Sequence, residues 1–103
     1  MLKGWSLYKY EGQWHEETFS EALLSDTSLV IEVNRDGDTV TVTTVSKDGI
    51  RYTGDYRYRE GSNSNGDAWF DRYKGPKGNV FSGEWKESDK SRGEWIIMII
   101  QAE

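Results

Sequence analysis

Tyr52-Thr53-Gly54-Asp55-Tyr56 is the stretch on which the fold turns. It reads aromatic, polar, glycine, polar, aromatic. Phe81-Ser82-Gly83-Glu84-Trp85 repeats the phrase, and Tyr10-Glu11-Gly12-Gln13-Trp14 is a third copy. Along a strand, side chains alternate between faces, so both rings and the glycine share one face and the polar pair takes the other. A glycine between two large rings leaves bare backbone beneath them and lets the strand coil sharply. Three such phrases in 103 residues predict a strongly curved antiparallel sheet with its rings on one interior. By this alternation the inward set is Tyr8, Tyr10, Trp14, Tyr52, Tyr56, Tyr58, Phe81, Trp85 and Trp95.

The pattern extends outward from there. Ile50, Tyr52, Gly54, Tyr56 and Tyr58 lie on one face of the longest strand, and Arg51, Thr53, Asp55, Arg57 and Arg59 on the other. Residues 5–10 alternate and reach Glu11-Gly12, read as a tight bend from which Trp14 to about Thr18 pairs back. Leu29 to Val33 and Val40 to Val45 flank Asp36-Gly37, a two-residue hairpin signal. Ala68 to Tyr73 and Val80 to Lys86 flank Gly75-Pro76-Lys77-Gly78-Asn79, a second hairpin. Gly61 to Gly66 reads as a mobile polar loop. The result is a mainly β chain, an antiparallel up-and-down meander of 7–8 strands. It closes as a small barrel or a strongly rolled sheet, in one domain spanning 1–103. One short helix is expected near residues 19–25. Thr18-Phe19-Ser20-Glu21 fits a capping box, and Phe19, Ala22 and Leu23 share a helical face.

The last strand differs from the rest. Trp95, Ile97 and Ile99 occupy one face, while Ile96, Met98 and Ile100 make the other face apolar as well. Leaving such a face in water costs about 25 cal/mol per Å² of apolar surface. Three covers are open: the short helix, a second copy through Ile96, Met98 and Ile100, or a ligand.

Composition limits the chemistry. There is no cysteine, hence no disulfide, thiolate metal site or thiol nucleophile. The net charge of −5 opposes general nucleic-acid binding. It is uneven: residues 1–49 carry 4 basic and 9 acidic groups, and residues 50–103 carry 9 of each. No apolar run approaches the roughly 20 residues of a membrane span. The first residues lack a secretory apolar run, which points to a cytoplasmic protein.

Tyr52-Thr53-Gly54-Asp55-Tyr56, Phe81-Ser82-Gly83-Glu84-Trp85 and Gly93-Glu94-Trp95 before an apolar last strand resemble the β-meander of calycin-type barrels. Avidins, lipocalins and fatty-acid-binding proteins belong to that group. The resemblance covers residues 50–101 and implies a barrel with an end-opening cavity; it carries over no binding residue. Tyr10-Glu11-Gly12-Gln13-Trp14 and its echoes are also similar to the opening of a MORN repeat, a hairpin array used for lipid and protein contacts. The copies here start 42 and then 29 residues apart, whereas stacked repeats need a constant period.

Candidate chemistry is sparse. His15, the only histidine, has Glu16 and Glu17 beside it, but one histidine supplies too few ligands for a zinc site. Asn34, Asp36 and Asp38, and Asn63, Asn65 and Asp67, alternate oxygens without the spacing of a calcium loop. No metal and no cofactor is expected. Arg51, Arg57, Arg59, Arg72, Lys74 and Lys77 read as an outer basic stripe interrupted by Asp55, Asp71 and Glu84. No Ser-His-Asp set assembles around the single histidine, so the chain reads as non-catalytic. The leading expectation is a small ligand- or protein-binding module. Tyr52, Tyr56, Trp85 and Trp95 would form the walls for an apolar or aromatic ligand, with Gly54 and Gly83 making space. The alternative is a homodimer or assembly protein using the last strand.

Overall fold

The computed structural model describes residues 2–35, 37–59, 65–87 and 91–101. The loop expected at 61–66 lies largely outside the described residues, as does Asp36. Eight strands follow one another: β1 (Leu2–Tyr10), β2 (Gln13–Leu24), β3 (Ser28–Arg35), β4 (Asp38–Ser46), β5 (Arg51–Tyr58), β6 (Gly66–Gly75), β7 (Gly78–Glu87) and β8 (Arg92–Gln101). Each pairs antiparallel with the next, and β8 pairs with β1 to close the barrel. Closure leaves no strand edge, unlike an open hairpin array.

Alternation sends one face of every strand inward. Leu29, Ile31 and Val33 of β3 meet Val40 and Val42 of β4. Tyr52 and Tyr56 of β5, Ala68 and Phe70 of β6, and Phe81 and Trp85 of β7 complete the core with Trp95, Ile97 and Ile99 of β8. The glycine phrases on β5 and β7 act as expected. A Cβ at Gly54 would overlap the carbonyl oxygen of Thr43, and one at Gly83 that of Trp69. Gly83 stands between Phe70 on one neighbouring strand and Trp95 on the other. Those two rings meet edge to face at 5.7 Å, across the space a side chain there would fill.

The third phrase behaves differently. Glu11 and Gly12 have φ of 51° and 79°, the left-handed pair of a two-residue hairpin. The bend expected at Glu11-Gly12 is present and β2 pairs back on β1, so this copy of the phrase is a turn and not a rolled strand. Its register pairs Lys9 with Trp14, and paired residues share a face. Trp14 thus points outward, against the inward assignment, and lies under the Lys9 ammonium at 5.7 Å. Tyr10 sits exposed at the barrel rim.

The helix near 19–25 is replaced by strand. β2 runs unbroken to Leu24, and no helix occurs among the described residues. A β-bulge between Phe19 and Glu21 explains the misreading. The extra residue shifts the inward phase, so Glu17, Phe19, Ala22 and Leu24 turn to the core. The three-residue step from Phe19 to Ala22 imitates helical spacing. Leu23, the other residue of the supposed helical face, is 67% exposed.

Candidate functional site

The interior holds all four residues expected to wall a ligand. Tyr52, Tyr56, Trp85 and Trp95 are buried, and much of the space between them is taken by other rings. Tyr56 packs edge-on against Trp95 at 5.6 Å, and Tyr52 against Phe81 at 5.2 Å. Trp95 donates its indole N–H to Ser6 Oγ. The Tyr52 hydroxyl donates to the Ser25 carbonyl at 2.7 Å. Tyr56 Oη and Trp85 Nε1 are buried and make no hydrogen bond among the described residues. Burial, and then the nearby charge of Glu87, hold the Tyr56 phenol above its ordinary pKa. Glu87 thus acts on Tyr56 electrostatically, without meeting hydrogen-bond geometry.

A polar cluster absent from the sequence expectations lies beside these rings. Arg35 forks onto the Glu17 carboxylate, with Nε to Oε2 and Nη2 to Oε1 both at 2.8 Å. Its Nη1 donates to the Tyr58 hydroxyl at 2.8 Å. The Ser6 hydroxyl donates to Glu17 Oε1 at 3.0 Å. The guanidinium lies over the Tyr8 ring at 4.0 Å, with Trp95 at 5.2 Å. The Arg35 and Glu17 side chains are only 10% and 3% exposed. Burial alone would lower the arginine pKa; the bonds and charge of Glu17, with Tyr58, outweigh it and hold the pKa above its ordinary value. Chemically this is a neutralised plug with most of its donors used. Its sequence signal was parity: with β2 read as a strand through Leu24, Glu17 shares the inward phase of Phe19.

His15 stacks on Tyr8 at 5.0 Å, exposed at the mouth of the same end. It is not at a helix start. No group of three or more His, Asp or Glu side chains suited to a metal occurs among the described residues.

On the outer wall the basic stripe is broken. Arg51 pairs with Asp71 at 3.1 Å and Arg57 with Asp55 at 3.7 Å. Arg72 is not in it: it follows Ala68 and Phe70 in phase and turns inward, 9% exposed. A groove of about 740 Å³ where β5, β6 and β7 meet is walled by Asp55, Arg57, Asp67, Lys86 and Glu87. Its mixed signs favour no class of ligand.

Ile96, Met98 and Ile100 line up on the outer face of β8, opposite the buried Trp95, Ile97 and Ile99. With no helix among the described residues, the expected helical cover does not exist. Register instead aligns Trp5, Met98, Val80 and Tyr73 in one row across four strands, with Leu7 and Ile96 in the next. Between Trp5, Val80, Met98 and Ile100 runs a groove of about 330 Å³. It extends from mid-wall to the Gly75–Gly78 turn at the barrel end, where Pro76 and Lys77 complete it.

No protein-family profile matches the sequence, and no curated protein matches it. A solved structure described as a redesigned β-barrel is similar over 98% of this chain and 90% of its own length, with a TM-score of 0.60. At 16% identity that likeness is one of fold. No helix among the described residues is long and apolar enough to cross a membrane.

Proposed function

We propose that this barrel is a non-catalytic binding module that works through its outer wall. The observation that carries this reading is the apolar groove between Trp5, Val80 and Met98, on a face that the fold leaves uncovered. Exposed apolar surface gathered in one place marks a contact site far more often than surface scattered singly. Strand addition is not available to a closed barrel, so recognition rests on side chains of the wall. The buried rings of Tyr52, Tyr56, Trp85 and Trp95 serve in this reading as the rigid support of β8. An interior ligand would have to separate ring pairs already in contact.

Titration with anilinonaphthalene sulfonate, an apolar anionic dye, tests the choice of wall over interior. Fluorescence enhancement is expected for the natural chain, lost in Met98→Asp and kept in Tyr56→Phe. Enhancement that survives Met98→Asp, with amide shifts centred on Tyr56 and Trp85, would place the ligand inside and overturn the proposal.

A further inference from the structure

The groove has an order of polarity along its length, and that order narrows what fits it. Its floor at mid-wall is Trp5, Val80 and Met98; towards the barrel end it passes Ile100 and reaches Lys77. Lys3 stands beside Ile100 in register and shares its outward face. Most acids on this part of the wall are paired. Asp71 pairs with Arg51, Glu84 with Arg92 and Glu94 with Lys9. Glu16, beside Leu7 in register and away from the Lys77 end, makes no ion pair among the described residues. Lys3 and Lys77 have no ion-pair partner among the described residues. The apolar channel therefore ends at two uncompensated cations.

We infer that the groove binds a single-chain anionic amphiphile, its hydrocarbon along Trp5, Val80 and Met98 and its anionic head at Lys77 and Lys3. The inference rests on the outer-wall reading and adds the ligand's chemistry. Three observations separate this occupant from others. A peptide brings backbone N–H and C=O groups that need partners. The side chains along the floor are Trp5, Val80, Met98 and Ile100, and the strands' own backbone groups are committed to a closed ladder. Burying a peptide there would leave amides unsatisfied. A bilayer asks for apolar groups at the leading tip with lysines set back. Here the lysines are at the end and the apolar floor is set back. A symmetric second copy brings its own Lys3 and Lys77 to the same patch. A hydrocarbon chain makes no hydrogen-bond demand, and a volume of about 330 Å³ is at the small end of ligand sites.

The test uses three twelve-carbon chains that differ only in the head: dodecanoate, dodecanol and dodecyltrimethylammonium, each below its micelle concentration. Amide NMR follows Trp5, Val80 and Met98. Dodecanoate is expected to bind saturably with shifts at those residues, at least tenfold tighter than the cationic chain. Lys3→Glu/Lys77→Glu is expected to weaken dodecanoate at least tenfold and leave dodecanol unchanged; both lysines are exposed, so the fold is kept. Equal binding of all three heads would overturn the anionic preference and leave the outer-wall reading standing. Failure of every chain to shift those amides would overturn both. Shifts that appear only with anionic vesicles would replace the amphiphile with a bilayer. A dimer in light scattering that dodecanoate does not compete with would replace it with a second copy.

Discussion

Each end of the barrel turns one arginine inward, and the two are balanced in opposite ways. Arg35 sits at the end of the Glu11–Gly12 turn, locked by two bonds to Glu17, a carboxylate that is itself only 3% exposed. Arg72 sits at the other end. It donates to Asn79 at 2.8 Å, to Tyr52 at 3.1 Å and to Asp26 at 3.0 Å. Asp26 is 80% exposed, so the counter-charge of Arg72 is largely held by water. A buried cation is safe either with a buried anion in fixed geometry or with donors led back to solvent. This barrel uses one solution at each end. The first makes an end brittle to single substitutions; the second makes it tolerant.

The sharpest break of that contrast is Glu17→Ala. It leaves Arg35 buried without its anion, and such losses cost about 3–5 kcal/mol. The urea midpoint, followed by tryptophan fluorescence, should fall accordingly. The double variant Glu17→Leu/Arg35→Met should recover much of the loss, because an apolar pair carries no desolvation cost. A single variant as stable as the natural chain would mean water reaches Arg35, and the two ends would no longer differ.

Tyr58→Phe and Tyr52→Phe compare the neutral partners. Tyr58 accepts from Arg35 where little else can replace it, so its loss should cost about 1.5–3 kcal/mol, as for hydrogen bonds to charged groups. Tyr52 also accepts from its arginine, yet Asp26 and water stand ready, and about 1 kcal/mol is expected. Equal costs would erase the distinction between locked and solvated ends. Asp26→Ala completes the series with the smallest of these effects, about 0–1 kcal/mol, the range of exposed ion pairs.

How far this was legible in the sequence follows from what each residue answers to. Tyr52, Tyr56, Trp95, Ile97 and Ile99 obey local alternation in unbroken strands, and their inward placement was readable. So was the outward row of Ile96, Met98 and Ile100. The bend at Glu11-Gly12 was readable, but Trp14 was misplaced because a two-residue turn resets which residues share a face, and the inward phase of the phrase was carried across it. The helix was misread because one bulge residue converts a period of two into a step of three. Glu17–Arg35 joins residues 18 apart in the chain, and Arg72–Asp26 residues 46 apart. No local pattern marks such pairs; they follow only from register around a closed barrel. The groove needed four strands in register before Trp5, Met98, Val80 and Tyr73 became one row.

The solvated end also holds a turn whose carboxylate responds to acid. At the turn between β4 and β5, Asp48 Oδ1 accepts from the backbone N–H groups of Ile50 and Arg51, each at 2.9 Å. Those donors, Arg51 first, hold the carboxyl below the usual carboxylate range. A depressed folded pKa means stability that is fully present above the unfolded value of about 3.9 and lost as pH falls through the folded value. Asp48→Asn keeps an acceptor oxygen but not the charge. Its stability deficit relative to the natural chain should therefore be constant from neutral pH to about 5 and shrink below about 4. Hydrogen exchange localises the effect: on acidification the amides of Ile50 and Arg51 should lose protection before those of β3 beside Arg35. A deficit that persists unchanged below the carboxylate range would mean Asp48 acts through turn shape alone, with its charge irrelevant to that end.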